Sequence, residues 1–383
     1  MKIVQPITIT DSVLTSSNVA ETDHSAYSAS TGYTIGANVR VVSTNIHKTY
    51  QALVGGVFII TMTIATPCVV TFPTGSSITE GMPIVFTTTG ALPTGIVAGT
   101  TYYVKGLTGN TFNVSATLSG AAINTSGTQS GVHSVNTNYN IPVTNTTYWL
   151  DTGATNRWKM FDGSVQSQTT NSGSITFTLS TTASFFDTLA FLNVQASSIQ
   201  VTMTTTDGVV YDKTATLSSN IGITDWYSYF YTTIFKQTDV IFDDFPLYAS
   251  ATITVVISNT FFTAACGACL IGKAVDISYT KKGVEHGARL GIQDYSIKTR
   301  DSFGNYTIVE RAFNRRADFT VYIEGGQVDG IMNLLASVRA KPTLYLGSGK
   351  YKSTAVYGFY KDFTVEIAYP DKSICTLQLE GLT

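Results

Sequence analysis

Apolar and polar residues alternate in short runs along most of the chain. The stretches SITFTLS (174–180), SIQVTMTT (198–205) and ATITVVISN (251–259) place Val, Ile, Leu, Phe or Met at about every second position. An alternation with period two is typical of a half-buried β-strand, and Gly, Asn, Asp and Ser separate the runs in the manner of turns. The pattern therefore predicts a mainly β protein.

One segment has the spacing of a helix instead. In QVDGIMNLLASVRAKP (327–342), five apolar residues follow the i, i+3, i+4, i+7 pattern of a single helix face. They are Val328, Ile331, Leu334, Leu335 and Val338. Arg339 and Lys341 suit the negative end of such a helix, and Pro342 prevents its continuation. We expect this helix to lie across a sheet.

Composition changes along the chain predict several domains. Residues 1–54 form a short polar segment rich in aromatics, and residues 55–137 an almost uncharged β domain with the strand spacing of a small sandwich or barrel. Residues 153–272 are expected to form a jelly-roll-like β-sandwich, since the strands leave no room for helices. Residues 273–383 hold 15 of the 23 Lys and Arg and the predicted helix, and are expected to form an α+β assembly domain.

Charge and hydropathy exclude several function classes. A net charge of −2 with 13% charged residues does not provide the excess of positive charge that general nucleic-acid binding requires. No apolar run has the roughly 18 residues that span a bilayer, and the N-terminus lacks the apolar core of a signal peptide. We therefore expect a protein made in the cytoplasm, with no nucleic-acid partner and no membrane insertion.

Enzyme, metal and cofactor motifs give no positive signal. Cys266 and Cys269 form a C-x-x-C inside an apolar run, without a second pair or a nearby His, which favours buried structural cysteines. Asp243 and Asp244 are adjacent, so on a strand they point to opposite faces; a solvated turn is favoured over acid–base catalysis or a calcium site. LGSGKYKS (346–353) lacks the first Gly and the Ser or Thr of a phosphate loop. We predict a non-enzyme without cofactor or metal.

Clustered aromatic residues are the remaining candidate chemistry. Tyr33, Tyr50 and Trp149 could stack on the apolar face of a sugar ring, with neighbouring polar side chains bonding its hydroxyls. The alternative is that these rings form the core of a domain that has little else to bury. Both interpretations remain open at this point.

The first segment resembles the small carbohydrate-binding modules attached to chitinases. The residues that match this pattern are Tyr27, Tyr33, Gly36, Val39, Tyr50, Ala52 and Trp149. Two departures stand out: Ala37 replaces an Asp, and Tyr27 replaces the leading Trp. The family has a short loop where about 95 residues separate Ala52 from Tyr148 here. The resemblance therefore implies that residues 1–54 and 138–152 form one small discontinuous β module into which residues 55–137 are inserted. It also implies a carbohydrate-binding role for Tyr33, Tyr50 and Trp149.

The inserted segment is similar to a β-domain that recurs in tail and tail-fibre proteins of bacteriophages. The phrases LPTGIVAGTTYYV, NTFNVSAT and TSGTQSG carry the resemblance. It implies a virion structural protein of the tail (tip, baseplate or fibre-anchoring subunit) that assembles with other tail or baseplate proteins and with copies of itself, as a ring or trimer. In outline, the last segment also resembles the sheet-plus-helix domains of tail-tube and baseplate rings.

Two other functions compete with this expectation. One is a receptor-binding protein that stacks host cell-surface polysaccharide on exposed aromatics, and the other is a depolymerase of that polysaccharide. The depolymerase is disfavoured because no carboxylate pair stands out. The stretch YWLDTGATNRWKMFDG (148–163) is expected to be a domain junction, with Trp149 ending the small module and Trp158 opening the sandwich.

Overall fold

The computed structural model describes residues 1–28, 33–53, 56–74, 78–137, 142–182, 185–217, 225–231, 237–248 and 250–382. The protein is mainly β, which confirms the predicted class. Its chain forms two compact units: Met1–Ala20 with Asn156–Thr383 (unit 1), and Glu21–Thr155 (unit 2). None of the helices in the described ranges has the length and hydrophobicity needed to cross a bilayer.

The strands and helices are numbered in chain order. The first twelve strands are β1 (Lys2–Pro6), β2 (Leu14–Ser17), β3 (Ser25–Ala26), β4 (Asn38–Ser43), β5 (Ile46–Ala52), β6 (Val57–Met62), β7 (Val69–Thr71), β8 (Pro83–Thr88), β9 (Thr101–Thr108), β10 (Thr111–Ser115), β11 (His133–Asn136) and β12 (Trp149–Ala154). The next six strands are β13 (Thr169–Ser180), β14 (Thr188–Gln195), β15 (Ser198–Thr205), β16 (Gly208–Thr216), β17 (Val240–Phe242) and β18 (Thr252–Asp276). The last seven are β19 (Arg289–Asp294), β20 (Ile297–Arg300), β21 (Tyr306–Val309), β22 (Phe313–Glu324), β23 (Thr343–Leu346), β24 (Ala355–Glu366) and β25 (Lys372–Gly381). The α-helices are α1 (Trp226–Tyr231) and α2 (Val328–Val338), and short 3₁₀ turns cover Lys159–Phe161, Tyr279–Lys281, Gly325–Gln327 and Lys352–Thr354.

Unit 2 contains a closed barrel. Its six strands follow the order β10-β7-β6-β11-β8-β9, and closure removes the open sheet edges that would otherwise pair with other chains. Ile84, Phe86, Val104, Phe112 and Val135 are almost completely buried in its interior. The segment predicted as a small sandwich or barrel thus forms the closed variant.

The rest of unit 2 is a four-stranded sheet with the order β12-β5-β4-β3. β5 pairs antiparallel with β4 and with β12, and a bulge between Asp151 and Gly153 bends β12. Gly153 has φ +107° at this bulge, a conformation that favours glycine. The pairing brings Trp149 beside Ala52, although almost one hundred residues of chain separate them.

Unit 1 is organised by β18, a strand of 25 residues. Its first part pairs with β13 and β15, its middle part with β14, and its last residues with β1. Alternate side chains of β13 and β15 are completely buried, as the period-two pattern predicts. The buried residues on these strands are Ile175, Phe177, Leu179, Ile199, Val201 and Met203.

The C-terminal part of unit 1 continues the same sheet in the order β18-β1-β23-β24-β25-β22-β19. Helix α2 buries Ile331, Leu335 and Val338, and the first two pack in a core with residues of β22 and β25. The sequence-predicted helix face is therefore confirmed. Its apolar stripe covers one face of the β22–β25–β24 sheet.

Two predicted domain boundaries differ from the structure. Residues 1–20 were placed in the small module, but β1 pairs with β18 and β23, and β2 pairs with β13, all in unit 1. The boundary at 272/273 falls inside β18, which continues to Asp276. The change in charge content at that point marks where a continuous strand passes from a buried to a more exposed environment, not where a domain begins.

Candidate functional site

The aromatic residues proposed from the sequence lie together, but in the core of unit 2. The relative exposures of Trp149, Tyr50 and Tyr33 are 1%, 4% and 8%. The Tyr33 and Trp149 rings contact edge to face at 5.3 Å, and Tyr27 stacks on Tyr33 at 5.8 Å. A sugar-stacking ring needs an open face, and these rings cover each other. Of the two interpretations of Tyr33, Tyr50 and Trp149, the structure therefore supports the domain core and does not support sugar stacking on these buried rings.

Polar contacts support this core assignment. The Tyr33 hydroxyl accepts a hydrogen bond from the Ser28 backbone N–H at 2.7 Å, which satisfies the polar end of a buried ring. Burial also raises the pKa of Tyr50, with a further contribution from the nearby Asp151 carboxylate. The three residues hold the small sheet together.

The second Trp of the predicted junction is a core residue of unit 1. Trp158 is 8% exposed and contacts Phe161 edge to face at 5.9 Å, and Phe161 in turn contacts Phe177 of β13 at 5.6 Å. Arg157 donates from Nε to the Val19 carbonyl at 2.7 Å. This hydrogen bond joins the segment that leaves unit 1 at Ala20 to the segment that returns to it at Asn156.

The adjacent carboxylates Asp243 and Asp244 have separate lysine partners. Lys2 binds Asp243 at 2.7 Å, while Lys213 and the Tyr211 hydroxyl both donate to Asp244. Burial opposes the charge of Asp244, but the hydrogen bonds from Lys213 and Tyr211 outweigh it and lower its pKa. Lysine neutralisation removes the negative charge that calcium would need. Across the described residues, no group of three or more His, Cys, Asp or Glu is placed to hold a metal ion.

The C-x-x-C residues are inert in this environment. Cys266 and Cys269 are buried in β18, where they pair with Val194 and Phe191 of β14. Burial raises the pKa of Cys266 to about 12, and it also raises that of Cys269. Both therefore stay protonated at neutral pH, a state that favours neither metal binding nor thiol exchange.

The loop that superficially matches a phosphate loop is a self-contained turn. The Ser348 N–H donates to Thr354 Oγ1 at 2.9 Å, and the Lys350 N–H donates to Ser348 Oγ at 3.3 Å. Two of the amides that would cradle a phosphate already have partners within the loop.

One exposed apolar surface of unit 1 lies elsewhere, in the segment between β19 and β22. We call residues 295–312 the arm; it carries the two-stranded antiparallel hairpin β20–β21. All eight residues of these two strands are exposed. The large apolar side chains exposed on the arm are Tyr295, Ile297, Phe303, Tyr306, Ile308 and Val309.

The tip of the arm has a defined geometry. Asp301 Oδ1 accepts hydrogen bonds from the N–H groups of Phe303 and Asn305 at 2.9 and 2.8 Å, and Oδ2 accepts one from the Asn305 side chain at 3.0 Å. These bonds lower the pKa of Asp301, the Asn305 side chain contributing most. Gly304 completes the turn with φ +91°. The turn holds Phe303 at 90% exposure.

A second exposed aromatic surface is helix α1. Trp226, Tyr227, Phe230 and Tyr231 are each more than 70% exposed. Trp226 stacks with Phe230 at 6.5 Å, and Tyr227 lies 4.7 Å from Tyr231. The sequence signal for this surface is the density of aromatics in WYSYFY, five in six residues.

The arm and α1 were not identified from the sequence. The segment DYSIKTRDSFGNYTIVE (294–310) has the pattern of an ordinary hairpin. This pattern does not indicate whether the hairpin is covered by other elements or exposed. Comparison with known proteins found no matching family model, no matching curated protein and no matching solved structure.

Proposed function

We propose that this protein is a structural subunit of a bacteriophage tail and assembles with copies of itself through the arm. The observation that carries the proposal is the exposure of the arm, whose six large apolar side chains face solvent in the single chain. A concentration of exposed apolar surface on one segment marks interaction sites in soluble proteins.

The arm is also too small to be stable without support. An isolated two-stranded hairpin is marginal in water, because few cross-strand pairs offset the entropy of ordering it. Burying one large apolar side chain contributes about 1.5–3 kcal/mol of stabilising free energy. The burial of only three such side chains would therefore contribute more free energy than the folding of many isolated hairpins. An assembly that covers the arm supplies this stabilisation.

The phage assignment draws on the sequence resemblance of residues 55–137 to tail and tail-fibre domains. The closed barrel formed by β6–β11 and the low charge content suit a protein that must persist outside the cell. Under this proposal the protein is located in the virion tail, and its partners are copies of itself and other tail or baseplate proteins. The proposal assigns it no enzymatic activity.

The test compares the mass in solution of two triple variants by light scattering after gel filtration. Phe303→Ser, Tyr306→Ser and Ile308→Ser together remove apolar groups from the arm, and we expect the oligomer to dissociate to single chains. The matched control, Ile59→Ser, Val97→Ser and Leu118→Ser, removes comparably exposed groups from the barrel and should leave the mass unchanged. A monomeric parent protein, or an arm variant with the parent mass, would contradict self-assembly through the arm.

Location in the virion needs a separate measurement. An antibody against the purified chain should label the tail of particles that carry this gene, as seen by negative-stain electron microscopy. Labelling of the head alone, or of no particle, would contradict the assignment to the tail.

A second candidate function is binding of host polysaccharide, favoured by the exposed rings of α1. Stacking on sugar requires accessible aromatic faces, which Trp226 and Tyr227 offer at 79% and 73% exposure. Trp226→Ala should weaken retention on immobilised host polysaccharide, with Phe303→Ala as the control for nonspecific stickiness. Equal retention of both variants and the parent would exclude α1 as the binding surface.

A further inference from the structure

We propose that the arm of one copy lies across the open face of the β22–β25–β24 sheet of a neighbouring copy. This inference rests on the proposed self-assembly and names the surface that receives the arm. It follows from the distribution of charge on the two surfaces.

The two cations of the hairpin strands lie on one face of the arm. Strand register places Lys298 opposite Ile308 and Arg300 opposite Tyr306, so these four side chains share a face. The other face holds the uncharged pairs Ile297–Val309 and Thr299–Thr307. One side of the arm is therefore basic and apolar at once.

The cations on that face are only weakly engaged within their own chain. Lys298 contacts Asp294 at 2.8 Å, but the two side chains are 58% and 36% exposed. Exposed ion pairs of this kind contribute little to the free energy of folding, so Lys298 can exchange Asp294 for a carboxylate of another chain at little cost. The Arg300 guanidinium lies over the exposed Tyr306 ring at 5.6 Å, a contact that is weak at an exposed site.

The receiving surface is the face of the sheet that α2 does not cover. Cross-strand register places Asp362, Gln378 and Asp318 in one row. Thr364, Thr376 and Thr320 form the next row, and Glu366, Ile374 and Tyr322 the third. The three carboxylates in these rows are exposed. Three cations share the face with them: Arg289 lies opposite Asp318 in β19, Arg316 lies two residues before Asp318 in β22, and the Lys372 ammonium lies 4.7 Å from the centre of the Tyr322 ring.

A shallow groove crosses this face. It has a volume of about 460 Å³, and its lining includes Asp318, Asp362, Thr364 and Arg289. The threonine row presents short side chains that leave room for a second β-ribbon, and the two carboxylates, against one cation, complement Lys298 and Arg300. The charge of the groove therefore favours the basic face of the arm.

The receiving face belongs to another copy, not to the same chain. All eight strand residues of the arm are exposed, which means that the arm is not folded back onto its own sheet. A contact between an arm and a different surface is heterologous, and repetition of such a contact closes a ring or extends a filament. This geometry agrees with the ring assembly expected for a tail subunit.

The experiment uses two charge-reversed forms of the full chain. One combines Lys298→Glu with Arg300→Glu, and the other combines Asp362→Lys with Glu366→Lys. In either form alone, like charges face each other at every contact, and we expect association to weaken at least about tenfold, since such juxtaposition costs several kcal/mol. The control Lys281→Glu with Lys282→Glu reverses two exposed lysines of the same unit and should assemble like the parent.

Mixing the two reversed forms gives the decisive result. An acidic arm then meets a basic face, and an unaltered arm meets an unaltered face, so an alternating assembly of parental mass should form. The proposed docking would be overturned if either form alone assembled with the affinity of the parent. It would also be overturned if the mixture stayed dissociated while both forms kept the circular dichroism spectrum of the parent. A parent protein that is itself monomeric overturns self-assembly as well, which separates the failure of the proposed function from the failure of this docking.

Discussion

The small sheet of unit 2 and the arm of unit 1 are built from the same residue types and treat them in opposite ways. Trp149 and Tyr50 lie on strands of six and seven residues and are at most 4% exposed, whereas Tyr306 and Ile308 lie on one strand of four residues and are each 65% exposed. The difference is architectural. In the small sheet the rings pack against one another, whereas all eight strand residues of the arm are exposed.

The comparison teaches that aromatic content alone does not locate a binding surface. The resemblance to carbohydrate-binding modules directed attention to rings that unit 2 uses as its core. The candidate interaction surface lies instead in the arm, where Asp301 orders a tip around Phe303. What distinguishes the two regions is the number of covering elements, and that number is a property of the tertiary structure.

The largest expected effect is on the stability of unit 2. Trp149→Ala removes the largest side chain from a core with few members, and we expect it to cost about 3–5 kcal/mol of unfolding free energy. Urea denaturation, monitored by far-UV circular dichroism so that the signal does not depend on tryptophan, would measure this loss of unfolding free energy. The neighbouring Leu150, which is 48% exposed, provides the control, because Leu150→Ala should change the same quantity by less than about 0.5 kcal/mol. Equal effects of the two substitutions would show that Trp149 is not a core residue.

Part of the fold could be predicted because its signals are local. The stripe of α2 is visible in the sequence and packs as predicted, since amphipathic periodicity reports directly on the face that is buried. The same holds for the alternation of β13 and β15.

Other parts could not be predicted, because they depend on which distant strands pair. Nothing in KIVQP indicates that β1 fills the gap between β18 and β23, since an apolar strand of five residues suits many neighbours. The continuation of β18 through residues 272 and 273 was hidden by the rise in charge that begins there. The exposure of the arm could not be predicted for a related reason. The hairpin pattern predicts that its two strands pair, but it does not indicate whether other elements pack on the hairpin.

A smaller effect is expected from excision of unit 2. Unit 2 comprises residues 21–155, so unit 1 is interrupted between Ala20 and Asn156. The hydrogen bond from Arg157 Nε to the Val19 carbonyl holds these two ends of unit 1 close together. Joining Ala20 to Asn156 through a short Gly-Ser linker should therefore shift the melting temperature of unit 1 by less than about 4 °C. Differential scanning calorimetry of the joined protein would measure this shift. Loss of a cooperative transition would mean that unit 1 depends on the barrel and small sheet for its stability.

The smallest expected effect is a local response of the arm to acid. Hydrogen bonds from Asn305 and Phe303 lower the pKa of Asp301 in the folded chain, so the stabilisation they provide is present above the ordinary Asp value of about 3.9 and is lost as pH falls through the lowered pKa. The backbone amide shifts of Phe303 and Asn305, followed by NMR, should therefore titrate with a midpoint below that ordinary value. Asp301→Asn should abolish this titration while leaving the amides of the barrel unchanged. A midpoint at or above the ordinary value would mean that the tip is not held by Asp301 in solution, and Phe303 would then reach a neighbouring copy only after paying the entropy of ordering the turn.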